Sequence, residues 1–142
     1  MIDYPRIYLY KRIVQAKIFI DSHYSDKIDL DNIADEACFS KYHFIRQFSK
    51  IYGKTPHQYL ISVRLNKAVE LFSKGCSVSD TCFAVGFESI STFSGLFKKS
   101  KGISPSFFLA GQRERNKLIV NFPLNFVPGC HSEKRIMLKE QF

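Results

Sequence analysis

The sequence predicts an all-α chain. Two copies of a short helix, a tight turn and a longer helix are joined by a long connecting helix, about seven helices in all, and an irregular C-terminal tail follows. Three observations predict this. Residues 30–60 and 78–109 repeat one pattern: Phe39 matches Phe87, and after one extra residue in the second copy Phe44 matches Phe93, Phe48 matches Phe97, Lys50 matches Lys99, Gly53 matches Gly102, Pro56 matches Pro105 and Leu60 matches Leu109. Apolar residues within each copy recur at helical spacing, with no strand-like alternation. Glycines and Ser/Thr–Pro pairs punctuate both copies where helices must end and restart.

The elements follow in order. From Tyr8 to His23, Ile13, Ala16, Phe19 and Ile20 mark the buried face of a first helix, while Lys11, Arg12, Gln15 and Asp21 face water. Ser25–Asp29 is a polar loop. Leu30, Ile33, Ala34 and Ala37 form one apolar stripe on a short second helix. Cys38–Phe39–Ser40 is a turn, and Ser40 caps a third helix carrying Phe44, Phe48 and Ile51 inward and ending at Gly53. Thr55–Pro56 opens a connecting helix to about Lys74, with a broad apolar face from Tyr59 to Phe72, stopped by Gly75. In the second copy Val78, Thr81, Cys82 and Val85 form the short helix and Gly86–Phe87 the turn. Ser89 or Ser91 caps a helix holding Phe93, Leu96 and Phe97, closed by Gly102. Ser104–Pro105 opens a final short helix to about Gln112. Leu118–Phe122 is apolar and β-prone, and Pro123 and Pro128 block a continuous helix. This end reads as an irregular tail with room for a strand, a strap over hydrophobic surface in preference to a docking segment for a protein partner. The expected divisions are an arm at 1–7, a first unit at 8–55, the linker helix at 56–75, a second unit at 76–113 and the tail at 114–142.

Composition narrows the function classes. The chain has 142 residues, 45% hydrophobic and 24% charged, so it can pack a core and is not globally disordered. Fourteen Phe and seven Tyr with no Trp make that core aromatic. A net charge of +8 favours polyanionic partners, although a merely soluble basic protein has the same charge. No apolar run reaches the roughly 18 residues of a membrane span, and Met1–Arg12 lacks the apolar core of a signal peptide. Cys38, Cys76, Cys82 and Cys130 show no metal-type pairing and read as free thiols in a reducing cytoplasm. His23, His57 and His131 form no ligand set, and His43, beside Phe44, reads as a packing or phosphate-contact residue and not as a catalyst. No cofactor, no metal and no catalytic motif are expected.

A short helix, a tight turn and a longer helix describe a helix-turn-helix, whose second helix fits the DNA major groove. With Phe44, Phe48 and Ile51 inward, the first copy presents Tyr42, Ile45, Arg46, Ser49 and Lys50. No acid lies between Ser40 and Lys54, while Lys41, Arg46, Lys50 and Lys54 are basic. Such a face suits an approach to phosphates. Arg46 is the candidate for a bidentate guanine contact, with Tyr42 and Ile45 for thymine methyls or sugars. An ordinary helical bundle with a solvated basic face has the same pattern, and duplication is what favours DNA. The connecting helix is roughly 27 Å long at 1.5 Å per residue. With its flanking units it can set two reading heads about one duplex turn, roughly 34 Å, apart.

These residues resemble the AraC/XylS family of bacterial transcription regulators. The resemblance covers about Tyr8 to Arg113 and rests on LDNIADEACFSKYHFIRQFSKIYGKTPHQYL, RLNKAVELF and AVGFESISTFSGLFKKSKGISPSFF. It implies a monomeric DNA-binding domain of two helix-turn-helix units that binds promoters, usually activating transcription beside RNA polymerase in the bacterial cytoplasm. By position it implies base reading by Tyr42, Ile45 and Arg46 in the first unit and by Ile90, Ser91, Ser94 and Gly95 in the second. Ser40, Lys41, Lys50, Lys54, Ser89 and Lys98 are the expected phosphate contacts.

Two departures stand out. Family members often carry arginine where this chain has Gly95, which offers no side chain to a base. Glu88 sets an acid near the second recognition helix. Unequal reading follows: the first unit specifies sequence and the second mainly positions. Regulators of this kind often carry a separate sensing domain, for which little precedes the first helix. Met1 and the absence of tag-like sequence favour a stand-alone regulator over an excised half. The rivals are a fragment of a DNA-repair alkyl-transfer protein, which needs a reactive thiol, and a protein-interaction module that does not bind DNA.

Overall fold

The computed structural model describes residues 4–28, 31, 34 and 40–121. Six helices follow one another: α1 (Tyr4–His23), α2 (Lys41–Tyr52), α3 (Pro56–Ser73), α4 (Val78–Ala84), α5 (Ile90–Lys101) and α6 (Pro105–Asn121). No strand occurs among the described residues. Asp31 and Ala34 are helical too; the rest of the expected short second helix, with Cys38 and Phe39, lies outside the described residues.

The repeat is a repeat of hydrogen bonds as well as of letters. Ser40 Oγ accepts from His43 N at 3.3 Å, and Ser89 Oγ from Thr92 N at 3.4 Å. Such a cap satisfies a donor that the first turn cannot, stabilising a helix by about 1 kcal/mol. At the other ends Gly53 (φ 72°) and Gly102 (φ 83°) take the left-handed conformation, and each donates its N–H over 2.8 Å, to Ser49 O and Lys98 O respectively. Thr55 Oγ1 then accepts from Gln58 N while Thr55 N donates to Gln58 Oε1 at 3.0 Å, a complete capping box. Ser104 Oγ accepts from Phe107 N at 3.3 Å at the matching place in the second copy.

Two hydrophobic centres result. Ile13, Ala16 and Ile20 of α1 pack with Ala34, Phe44, Phe48 and Leu60 in the first. Leu65, Ala68 and Phe72 of α3 pack with Cys82, Val85, Phe87, Phe93, Phe97 and Leu109 in the second. Thus α3 serves both, through Leu60 on one side and its later turns on the other. The second centre is a ring cluster: Phe97 stands edge-on to Phe72 at 5.6 Å and to Phe108 at 5.5 Å between centroids. Tyr24, in the turn after α1, packs against both centres.

Three expectations need correction. The first helix begins at Tyr4, so residues 4–7 are helix rather than arm; no glycine or internal proline interrupts 6–23. Asp21 does not simply face water. It accepts a 2.6 Å hydrogen bond from Tyr59 Oη and pairs with Lys17 Nζ at 2.8 Å, tying α1 to α3. The last helix does not stop at Gln112. It continues to Asn121, so Leu118–Val120 are helical and exposed. The stretch Gln112–Lys117 is rich in helix formers, and β-prone residues take a strand only where a partner edge exists. The strap expected of the tail concerns residues beyond 121, outside the described residues.

Candidate nucleic-acid interface

The buried rings decide which faces of α2 and α5 are presented. Phe44 and Phe48 are fully buried, one turn apart, as are Phe93 and Phe97. Each pair anchors its helix and turns the opposite face outward.

On α2 that face carries Tyr42, Arg46 and Lys50, with Lys54 just beyond the glycine cap, all exposed. Tyr42 is 81% exposed, an unusual position for a large ring. The side chains of Arg46, Lys50 and Lys54 make no hydrogen bond or ion pair with another described residue. Lys41 is exposed and pairs with Asp31 at 2.8 Å, so part of its charge is already answered. Ser40 is occupied in its cap. Ile45 is half-buried and packs on the first core, so it borders the outward face and does not project from it. Ser49 is half-buried too, its hydroxyl donating to Ile45 O at 2.7 Å within its own helix.

On α5, Ile90, Ser91, Gly95 and Lys98 are exposed and Ser94 half-buried, one continuous strip along the helix. The hydroxyls of Ser89 and Ser91 lie 3.0 Å apart at the helix start, where backbone N–H groups point outward. Gly95 has an ordinary helical backbone, and a Cβ built there meets nothing within 4 Å. Lys98, Lys99 and Lys101 gather in the last turn, where they complement the helix dipole. The first helix therefore offers charged and aromatic side chains along its face, and the second offers hydroxyls, backbone and a bare glycine, with its lysines confined to the last turn.

Sequence reasoning missed the contacts that join the units. Arg64 of α3 is half-buried, donating from Nε to Tyr24 O at 2.6 Å and from Nη2 to Asp26 O at 3.0 Å. Its guanidinium lies 5.6 Å from the centre of the Phe87 ring. Burial lowers its pKa and the nearby Glu88 charge works against that shift. Glu88 thus sits beside a cation of its own chain. No periodicity signals such bonds, because the acceptors are backbone carbonyls about forty residues away. Beside this joint a cleft of about 790 Å³ opens between the units, its walls including His57, Arg64, Phe83 and Thr92.

Cys82 is fully buried, and burial pushes its thiol pKa up, which keeps it protonated and unreactive. Cys76 is half-buried, while Cys38 and Cys130 lie outside the described residues. No group of His, Cys, Asp and Glu that could hold a metal occurs among the described residues, and no helix there is long and apolar enough to cross a membrane.

A family model described as a helix-turn-helix domain matches residues 33–111, more than half of the chain. The transcriptional activator AarP of Providencia stuartii is 30% identical over 112 residues, covering 78% of this chain and 83% of that protein. The chain belongs to the AraC/XylS family. The chain spans less than half the length of two further relatives. It is 35% identical over 69 residues to the regulator YbfI of Bacillus subtilis, spanning 49% of this chain and 25% of that one. AdaA of Bacillus subtilis, a bifunctional transcriptional activator and DNA repair enzyme, is 34% identical over 91 residues, 63% of this chain and 43% of that one. The DNA-binding domain of the global transcriptional factor AdpA, solved in complex with a target DNA, superposes with a TM-score of 0.69 at 28% identity, over 72% of this chain and 94% of that domain.

Proposed function

We propose that this protein is a sequence-specific DNA-binding transcription regulator of the cytoplasm, which inserts α2 and α5 into successive major-groove segments of one promoter face as a monomer. The observation that carries this is the pair of matched helices, each capped by serine, anchored by two buried phenylalanines and ended by a left-handed glycine, with an acid-free basic face on the first. The 18 residues of α3 span roughly 27 Å, close to one duplex turn once the widths of the units are added. Arg46 reads a guanine, and Tyr42 contacts sugars or a thymine methyl, with Ile45 at the edge of that surface. Ile90, Ser91, Ser94 and the Gly95 backbone make the weaker second contact. Ser40, Lys41, Lys50, Lys54, Ser89 and Lys98 hold phosphates. Regulation then proceeds through RNA polymerase bound nearby.

Titration of duplex DNA at several salt concentrations tests this reading. Contact with about six phosphates gives a log–log slope near −5, and Arg46→Ala costs roughly 1–3 kcal/mol with relaxed preference at one base pair. A flat salt response, or an Arg46→Ala protein with unchanged affinity and base preference, contradicts it. The alkyl-transfer reading has AdaA in its favour by name, but Cys82 is sealed in the core. Mass spectrometry after exposure to alkylated DNA separates the two readings.

A further inference from the structure

The joint between the two units is built from three small features that converge on one turn. Tyr24, Ser25 and Asp26 leave α1 and offer their carbonyls toward the second unit. Arg64 takes two of these, at Tyr24 and Asp26, and stacks on Phe87 of the second turn. Gly86, just before Phe87, takes φ 99°, and a Cβ there would lie 2.8 Å from Ser25 O, 3.0 Å from Ser25 Cα and 3.0 Å from Tyr24 O. Backbone thus meets backbone at a position where only glycine satisfies both the dihedral angle and the space. The Tyr24 ring is shared by both cores, with Lys67 Nζ 6.0 Å from its centre. Next to these contacts the units part around the open cleft. The turn after α1 is therefore clasped by the second unit's turn and by the linker helix together.

We propose that Arg64 and Gly86 are positioning residues that fix the separation and phase of the two recognition helices, so that the spacing of the two half-sites is specified by this joint and not by any base-reading side chain. The inference rests on the two-headed reading above. A chain that holds its heads rigidly gains the second contact only when the half-sites match its geometry. A change of two base pairs rotates the second site by about 70° and moves it by roughly 7 Å, so a rigid chain loses that contact. A loosened chain reaches several spacings and binds each less well.

The test uses duplexes carrying both half-sites, as selected by the wild-type chain, with their separation changed by one and two base pairs either way, plus a duplex with the first half-site alone. Wild type, Arg64→Lys, Arg64→Gln and Gly86→Ala are titrated on each. Wild type is expected to lose roughly tenfold in affinity or more at two base pairs. The variants are expected to lose affinity at the native spacing yet vary less than about threefold across the series, with binding to the single half-site unchanged. A flat wild-type profile overturns the proposal, as do variants that keep the wild-type profile. Arg64→Lys keeps the charge and most of the stem, so its thermal unfolding should stay close to wild type. If it fails to fold, Arg64 holds the fold and not the spacing, and the proposal falls. Absence of any wild-type duplex binding defeats the DNA-binding reading itself, whereas a sharp profile retained by all variants defeats only the joint.

Discussion

Gly95 lies in the middle of α5, on its outward strip, with an ordinary helical backbone and open space around the missing Cβ. Replacing it separates two quantities that usually change together. Gly95→Ala removes backbone freedom from the unfolded chain and meets no neighbour, so it should stabilise the fold by about 1 kcal/mol. For a chain of this size that is a rise of roughly 3–5 °C in the unfolding midpoint. Gly95→Arg should gain slightly less stability, since arginine is a good but not the best helix former, and it adds a long cation to the middle of a strip whose one cation, Lys98, lies in the last turn. If the α5 strip faces a groove, the arginine should tighten binding to duplexes with a guanine at one position of the second half-site by about five- to a hundredfold, as one good bidentate contact does. The assays are thermal unfolding followed by circular dichroism and titration of duplexes varied base by base. A destabilised Gly95→Ala protein would refute the geometry at this position. A stabilised Gly95→Arg protein that binds every second half-site as wild type does would refute the assignment of this strip to DNA.

Other outcomes follow from the cores and the titrating groups. Thr81 is fully buried and its hydroxyl finds no hydrogen-bond partner among the described residues, so Thr81→Val, nearly equal in shape, should stabilise the chain by about 1 kcal/mol in urea unfolding; a loss of stability would mean that the hydroxyl is satisfied. Phe97→Ala opens a cavity amid Phe72, Phe93 and Phe108 and should cost about 3–5 kcal/mol, whereas Phe107→Ala, at a side chain 69% exposed, should stay within about 0.5 kcal/mol. Alkaline pH should weaken the fold. Lys17 is raised above 10.5 by its bond to Asp21, Tyr52 and Tyr59 are raised above 10.0 by burial, and Cys82 above 9.0 by burial. Each folded group keeps a proton that the unfolded chain has released, so their stabilisation is complete below about pH 9 and declines above it. A urea midpoint that holds or rises through pH 10.5 would contradict that sign.

Much of the fold is legible because its signals are local. Ser40, Thr55, Ser89 and Ser104 cap helices through atoms three residues away, and Gly53 and Gly102 end them through the backbone alone. The spacing of Phe44, Phe48, Phe93 and Phe97 fixes the outward faces, so Tyr42, Arg46, Ser91 and Gly95 fall where the pattern puts them. Ile45 is different: a position flanking the buried stripe can lean either way, and packing against the first core decided it. The extension of α6 to Asn121 depends on whether Leu118–Val120 find a strand partner, which propensity cannot tell. The joint is least legible. Arg64 reads as one more polar residue on a helix, and Gly86 as a turn glycine, until the Tyr24–Asp26 carbonyls are brought against them.

The measurement closest to the central claim is selection of bound sequences from a random duplex library by the wild-type chain. Two conserved blocks about one turn of DNA apart are expected, on the same face, with most of the information in the block contacted by α2 and a weaker one opposite α5. Two blocks of equal information would contradict the unequal roles drawn from Arg46 and Gly95. A single block, or no enrichment at all, would contradict the two-headed grip itself.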